Sequence, residues 1–534
     1  MPSNFTFRLA RATFAISLIA GFALFSCARI QAPPGGPEDK TPPKIVSTTP
    51  EKNALNVPLD EQIVIRWDEY IRPIADGALL LPRIEGTSVK IKGKRLIIEH
   101  KEPFKPNTTY RVALSSRISD YRGNRIRGSE SFAFSTGDYI DTLEIRGRVF
   151  SQKLEPASDM RVEAFISEED TSLAQSPIAA AWTGEDGRYI LRNLPKNNFL
   201  VRAFRDINGD GQPNHGEDFA IAPSPVLAGE DISFAMISEA IDTLSPSLLS
   251  ATAENPFVLR LRFSKDVKLS PESRIAIDSH GEARLLPDIE SSRSALVMFA
   301  EGFPAREFNF TVDGVEDLRG NELINARGEV EFPAFPDDTL PPRITYTKEP
   351  LLPAQELRVK IDRPIIAGEI LVEDSSGRGL SGETTIETPY WFVFRPEIYW
   401  PQRHDLTWRL ACTFADGSEF SDTAQYRIGI RNRATLGRLE VTQPFMFENF
   451  IAKAYPIEDA SSPIILTKGD EIFIGEFVPE GDYRIFGFWD LDGDSAHFTG
   501  SHSPIQLSEP AVIHGDTVRV RGLWTTEYHF RTQH

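Results

Sequence analysis

The stretch Asp206-Ile207-Asn208-Gly209-Asp210-Gly211-Gln212-Pro213-Asn214-His215-Gly216-Glu217 holds the densest chemistry in the chain. Its spacing is D-x-N-x-D-G-x5-E. Side-chain oxygens of Asp206, Asn208 and Asp210 at alternate positions can converge on one hard cation. The carbonyl of Gln212 adds a ligand, Gly211 permits a sharp turn, and Glu217 can close the site with two oxygens. Helical stripes are missing on both sides and Pro213 stands where an EF-hand wants an apolar residue, so a paired EF-hand is excluded. A strand-borne calcium loop and a turn built from Asx side chains both fit. A second stretch, Asp490-Leu491-Asp492-Gly493-Asp494, offers the carboxylates of Asp490, Asp492 and Asp494. It has Ser495 in the glycine place and Ser501 at the twelfth position, so a weak calcium site competes with a solvated loop. His497 and His502 nearby would suit a softer metal.

Other chemistry is thin. The chain has no G-x-S-x-G, no H-E-x-x-H and no Walker-type loop, and its nine histidines lack metal spacing. No catalytic residue is assigned, and the expectation is a non-enzyme; an unrecognised hydrolase is the remote alternative. Cys412 falls on the apolar face of the run Leu406, Trp408, Leu410, Cys412, Phe414, where a thiol acts as a small hydrophobe. The aromatics Tyr390, Trp391, Phe392, Phe394, Tyr399 and Trp400 are either core packing or a stacking platform for glycans.

These residues must be positioned by a long, acidic, turn-rich chain. At 534 residues it holds several domains. Its 77 acidic against 58 basic side chains, net −19, argue against a nucleic-acid partner. Two cysteines exclude a disulfide scaffold and a Cys-rich zinc module. The 39 prolines favour turns over long helices.

Repetition sets the organisation. Asp39-Lys40-Thr41-Pro42-Pro43, Asp242-Thr243-Leu244-Ser245-Pro246 and Asp338-Thr339-Leu340-Pro341-Pro342 are Pro-stiffened lead-ins. Each precedes strict alternation: Ile63, Ile65, Trp67; Leu259, Leu261, Phe263; Leu357, Val359, Ile361. Period two with one polar face predicts half-buried antiparallel strands. Asp120-Tyr121-Arg122-Gly123-Asn124 and Asp317-Leu318-Arg319-Gly320-Asn321 recur as turns. The lead-in, strand and turn resemble the bacterial Ig-like domain of S-layer and other surface proteins over 42–136 and 241–336, and more distantly over 337–432. Gly187, Tyr189, Leu191, Leu194 and Pro195 resemble the G-x-Y-x-L-x-x-L-P pattern of carboxypeptidase regulatory-like, transthyretin-like sandwiches. That resemblance implies such domains at 137–240 and, through the shorter copy at 475–494, at 433–534. The expected fold is all-β: a string of Ig-like and transthyretin-like β-sandwiches.

The amino terminus reads as an address. Arg8 and Arg11 precede an apolar run over 12–26, too short to span a bilayer. Leu24-Phe25-Ser26-Cys27 resembles the lipobox of bacterial lipoproteins. The resemblance implies a signal peptide at 1–26, lipidation of Cys27 and, with Ala28 after it, an outer-membrane location facing periplasm or exterior. Residues 27–41 are a Pro/Gly-rich tether. The expected role is a structural, adhesive or binding scaffold anchored to the membrane, with envelope proteins or glycans as partners and calcium as the candidate cofactor. The triplets Asp141-Thr142-Leu143, Asp242-Thr243-Leu244 and Asp338-Thr339-Leu340 are either linker repeats or, by resemblance to the D-T-(aliphatic) acceptor of a bacterial O-glycosylation system, glycosylation sites.

Overall fold

The computed structural model describes residues 39–530, apart from 75–76, 127–129, 168–175, 230–235, 279, 336–339, 402–405, 423–424, 443–448, 459–462, 470–471 and 514–516. Cys27, the signal segment, most of the tether, and Asp338 and Thr339 lie outside the described residues. Among the described residues there are 42 strands, one 3-10 turn at Arg433–Thr435 and no α-helix. The protein is all-β, built of tandem sandwiches. None of its described helical segments is long and apolar enough to cross a membrane.

Alternation in the sequence becomes one buried face per strand. In Ile63–Trp67 the residues Ile63, Ile65 and Trp67 are buried and Arg66 is exposed. The strand pairs with Ile45–Thr49 on one side and Arg95–Glu99 on the other, and Ser88–Lys92 closes the sheet. An opposing sheet of Ala78–Leu81, Thr109–Leu114 and Glu130–Ser135 covers it. The core between them holds Trp67, Ile98, Tyr110, Val112 and Phe134. The third sandwich repeats this order with Leu248–Asn255, Val258–Phe263, Ser294–Met298 and Leu286–Pro287. The fourth repeats it with Ile344–Tyr346, Leu357–Ile361, Trp391–Pro396 and Gly382–Thr388.

The second and last sandwiches differ from these three and resemble each other. In both, the first strand pairs in parallel with the last: Met236–Ala240 with Leu143–Ser151, and Leu436–Thr442 with Thr525–His529. Each has its own core, around Val162, Tyr189 and Val201 in the second and around Leu439, Phe450 and Ile485 in the last.

The sandwiches do not form the open string expected from their order. Two apolar clusters join the second to the last. One packs Phe150, Leu154 and Ile237 against Phe486, Phe488, Ala511 and Ile513. The other packs Phe165, Leu200, Phe204, Phe219 and Ile221 against Ile505 and Leu507. The physical reason lies in strands apolar on both faces. Along Asn198–Phe204, Phe199, Val201 and Ala203 fill the inner core while Leu200, Arg202 and Phe204 are buried on the other side. Burying that second face against another sandwich removes it from water.

Candidate functional site

The two acidic loops leave equivalent strands, Asn198–Phe204 and Gly481–Trp489, and fold alike residue by residue. Asp206 accepts from Gly209 N at 2.8 Å and Gly211 N at 3.1 Å. Asp490 accepts from Gly493 N at 2.7 Å and Ser495 N at 3.0 Å. Gly209 and Gly211 take φ of 78° and 75°; Gly493 and Ser495 take 81° and 63°. Ser495 therefore adopts the left-handed backbone that Gly211 supplies more cheaply. The serine that argued against the second loop in the sequence does not change its shape.

Glu217 is buried and accepts from Ile207 N at 2.8 Å and Asn214 N at 3.0 Å. Glu509 does the same for Leu491 N at 2.5 Å and Phe498 N at 2.9 Å, and is also buried. Sequence reasoning missed Glu509, because it sought an acid at Ser501. Between them the chain inserts a small hairpin, Ser501–His502 with Ile505–Gln506, whose Ile505 packs on the second sandwich. The signal available was an acid beyond that insertion. Burial pushes the Glu509 carboxyl up, and Asp492 and Asp490 add to the shift.

The loops differ in how their outer oxygens are spent. In the first, Asn208 Nδ2 donates to Asp210 Oδ2 at 3.0 Å, and Asn214 Nδ2 reaches Asp210 at 3.1 Å and the Gln212 carbonyl at 2.9 Å. Side-chain amides thus meet Asp210 and the carbonyl of Gln212. In the second, Asp492 replaces Asn208, and carboxylate oxygens of Asp490, Asp492 and Asp494 lie within 4.8 Å of one another. Backbone N–H groups hold Asp210 and Asp494 below the usual carboxylate range, chiefly those of Gln212 and Ala496 respectively. The nearby cations are Lys268 Nζ, 3.3 Å from Asp494, and Lys453 Nζ, which donates to the Ser495 carbonyl at 2.9 Å. Both donor sets are oxygen; the second gathers three carboxylates, while in the first side-chain amides of Asn208 and Asn214 already meet Asp210. His497 turns away from the acids: its Nε2 lies 3.0 Å from the Glu509 carbonyl and its ring packs edge-on to Phe486 and Phe488. His502 faces Phe219 of the second sandwich.

The remaining candidates resolve into structure. Asp120 and Asp317 are buried and accept from the N–H groups two and four residues on at 2.8–2.9 Å. Cys412 is buried, which raises its thiol to about 11 and leaves it a poor nucleophile. Trp400 is 1% exposed and donates from Nε1 to the Gln355 carbonyl at 2.6 Å, so it is no sugar platform; Trp391 is half-buried. A cavity of about 710 Å³ between the third and fourth sandwiches is lined by Glu254, Arg260, Lys360, Tyr390 and Phe414 among others, with no His, Ser or Cys. In the triplets, Asp141 pairs with Arg111 at 2.9 Å and Asp242 with Lys265 at 2.6 Å, while Thr142 and Thr243 are exposed.

Residues 39–136 match the family described as bacterial Ig-like domain. No curated protein matches the chain. Among solved structures, Salmonella alpha-2-macroglobulin is 10% identical, with 90% of this chain and 40% of that one covered at a TM-score of 0.14. The Bacillus anthracis TIE protein is 10% identical, with 94% and 76% covered and a TM-score of 0.14. The S-layer protein rSbsC is 10% identical, with 89% and 67% covered and a TM-score of 0.15. The chain thus spans less than half of the alpha-2-macroglobulin, and scores this low carry nothing from these proteins to this one.

Proposed function

We propose that the chain is a non-catalytic scaffold of a bacterial cell envelope, tethered to the outer membrane by a lipid on Cys27, with the second acidic loop, at Asp490, Asp492 and Asp494, as a calcium-dependent fastener. One observation supports the non-catalytic part: acids singled out in the sequence, and buried charges elsewhere in the sandwiches, are spent on holding loops and junctions. Asp206, Glu217, Asp490 and Glu509 cap backbone amides. Arg161 and Arg202 share the buried Glu163, at 2.5 and 2.7 Å. Arg111 reaches from the first sandwich to the Asn193 carbonyl of the second at 2.6 Å. Rigid junctions of this kind suit a spacer that presents loops, where recognition sits. The lipobox-like Leu24–Cys27 supports the anchor.

The test is metabolic labelling of the full chain with an alkyne fatty acid, followed by protease treatment of intact cells. Labelling that is lost in Cys27→Ala supports the anchor, and shaving separates exterior from periplasm. Equal labelling of the wild type and Cys27→Ala would remove it.

A further inference from the structure

Apolar side chains left in water gather at one end of the last sandwich. Residues Arg521 to Trp524 form a tight turn, closed by Trp524 N donating to the Arg521 carbonyl at 3.2 Å. The turn lies against the 3-10 turn Arg433–Thr435: a Cβ on Gly522 would sit 2.0 Å from the Ala434 oxygen, and Leu523 N donates to the Leu436 carbonyl at 2.8 Å. Phe477 joins them from the neighbouring strand Ile472–Pro479, with the Arg433 guanidinium 4.8 Å from its ring centre. Tyr399 of the fourth sandwich packs edge-on to Phe477 at 4.8 Å, so Ile398 and Tyr399 extend the patch onto a second sandwich.

Ile398 is 79% exposed, Leu523 73% and Trp524 67%. The other tryptophans are buried, or half-buried in the case of Trp391. Two apolar residues of the patch are also held in a costly backbone conformation. Phe477 and Leu523 take φ of 60° and 63°, the left-handed region that bulky side chains avoid. Among the described residues one other large apolar side chain does this, Leu154, and it is buried. A leucine kept in water on a strained turn adds little to folding, so packing within the chain does not account for it.

Charge selects the partner. Arg431, Arg433 and Arg521 are exposed at the same end. Arg438 and Arg519 pair with Glu476 and Asp482, at 2.6 and 3.3 Å, which leaves Glu397 and Glu480 as the further acids nearby. Basic groups outnumber acids here, in a chain whose net charge is −19. An anionic surface repels the rest of such a molecule and accepts this end. Protruding aliphatic tips beside Trp and Tyr, flanked by arginines with apolar stems, match the interfacial zone of a bilayer.

We infer that this end of the last sandwich docks on a bilayer that carries anionic phospholipid. Ile398, Leu523 and Trp524 enter the boundary between headgroups and acyl chains, and Arg431, Arg433 and Arg521 face the phosphates. Cys27 stands 12 residues before Asp39, a reach of at most about 40 Å. A second contact with the same membrane would lay the chain along it instead of letting it stand off. The inference rests on the lipid-anchor reading only for which membrane is met.

The experiment measures flotation of the purified chain from Ala28 on, which keeps every described residue and carries no acyl group. The vesicles are phosphatidylcholine alone or phosphatidylcholine mixed equally with phosphatidylglycerol. The wild type should float with the mixed vesicles, less so at high salt, and its tryptophan emission should shift to the blue. Leu523→Ser/Trp524→Ser should weaken binding about tenfold or more with an unchanged circular dichroism spectrum, because both side chains are exposed. Arg431→Gln/Arg521→Gln should weaken binding to the mixed vesicles about tenfold and flatten the salt dependence. A wild type that floats with neither preparation, or that binds no better than Leu523→Ser/Trp524→Ser, overturns the inference. So does a wild type that is dimeric without vesicles and monomeric in that variant, which would make the patch a contact between copies. Loss of the fatty-acid label at Cys27 as evidence would remove the anchor and leave this result standing, since the vesicles are supplied.

Discussion

Glu239, at the end of the second sandwich, accepts a 2.6 Å hydrogen bond from Thr499 of the last, across 260 residues of chain. Arg319 of the third sandwich pairs with the same carboxylate. Lys268 of the third reaches Asp494 of the last. Three sandwiches therefore meet at one acidic loop, and the residues flanking its inserted hairpin, Thr499, Gly500 and Ser508, supply contacts. Ser508 Oγ donates to the Ile221 carbonyl at 2.8 Å, and Gly500 lies so close to Ile221 that a Cβ there would sit 2.2 Å from its Cγ2. An insertion that displaces Glu509 along the sequence is thus also what closes the chain on itself.

Opening this closure should change shape before it unfolds a sandwich. Ile505 lies in the hairpin and Leu507 just after it, and neither belongs to a main core. The double variant Ile505→Asp/Leu507→Asp should cost about 2–4 kcal/mol of interface stability, from the apolar area lost and the charge introduced. Small-angle scattering should report a larger radius of gyration with an unchanged β-rich circular dichroism spectrum. An unchanged radius would mean that other contacts hold the sandwiches together.

The closing glutamates separate turn from metal. Glu217 and Glu509 satisfy backbone N–H groups at buried positions, so Glu217→Ala or Glu509→Ala should each cost about 1–3 kcal/mol. Because those bonds go to the backbone, the loss should appear equally with and without chelator in urea denaturation. Asp492→Asn should behave differently: near-neutral in EDTA, and destabilising relative to the wild type only when calcium is present. A chelator-dependent loss in Glu217→Ala would reassign that oxygen to a metal.

Much of this was legible in the sequence, and the gaps have physical causes. Period-two runs such as Ile63, Ile65 and Trp67 carry the sandwich cores because one face alone must be dry. The Asp-Gly-Asn turns read correctly because local side-chain-to-backbone bonds need no tertiary context. Closure was hidden because Leu200 and Phe204, interleaved with Phe199 and Val201, look the same whether the second face meets another sandwich or the same core. Glu509 was hidden because spacing motifs assume a loop of fixed length.

The aromatic cluster in the fourth sandwich should answer to stability rather than to sugars. Trp400 stacks on Phe394 with centroids 5.7 Å apart and is buried. Trp400→Ala should lose about 3–5 kcal/mol. Trp391→Ala, half-buried beside the Tyr390 junction, should lose less. Polysaccharide affinity gels should show no change in migration for the conservative Trp400→Phe; retarded migration of the wild type abolished in that folded variant would restore a glycan role.

Acid should loosen the last sandwich through His497. Burial lowers its pKa from 6.5 to about 4, the Glu509 carbonyl opposes that shift, and Lys453 on the adjoining strand adds to it. The ring otherwise faces Phe486 and Phe488, while Asp490 and Asp494 act on Lys453. The folded state thus binds fewer protons than the unfolded chain between these two values. Stability from this residue is complete above pH 6.5 and falls as pH drops toward 4, by about 3 kcal/mol in all. His502, lowered by burial and by Arg202, pulls in the same direction. Urea midpoints of the wild type should decline through this window more steeply than those of His497→Gln. Parallel profiles would show that the imidazole is hydrated in solution and carries none of the acid sensitivity.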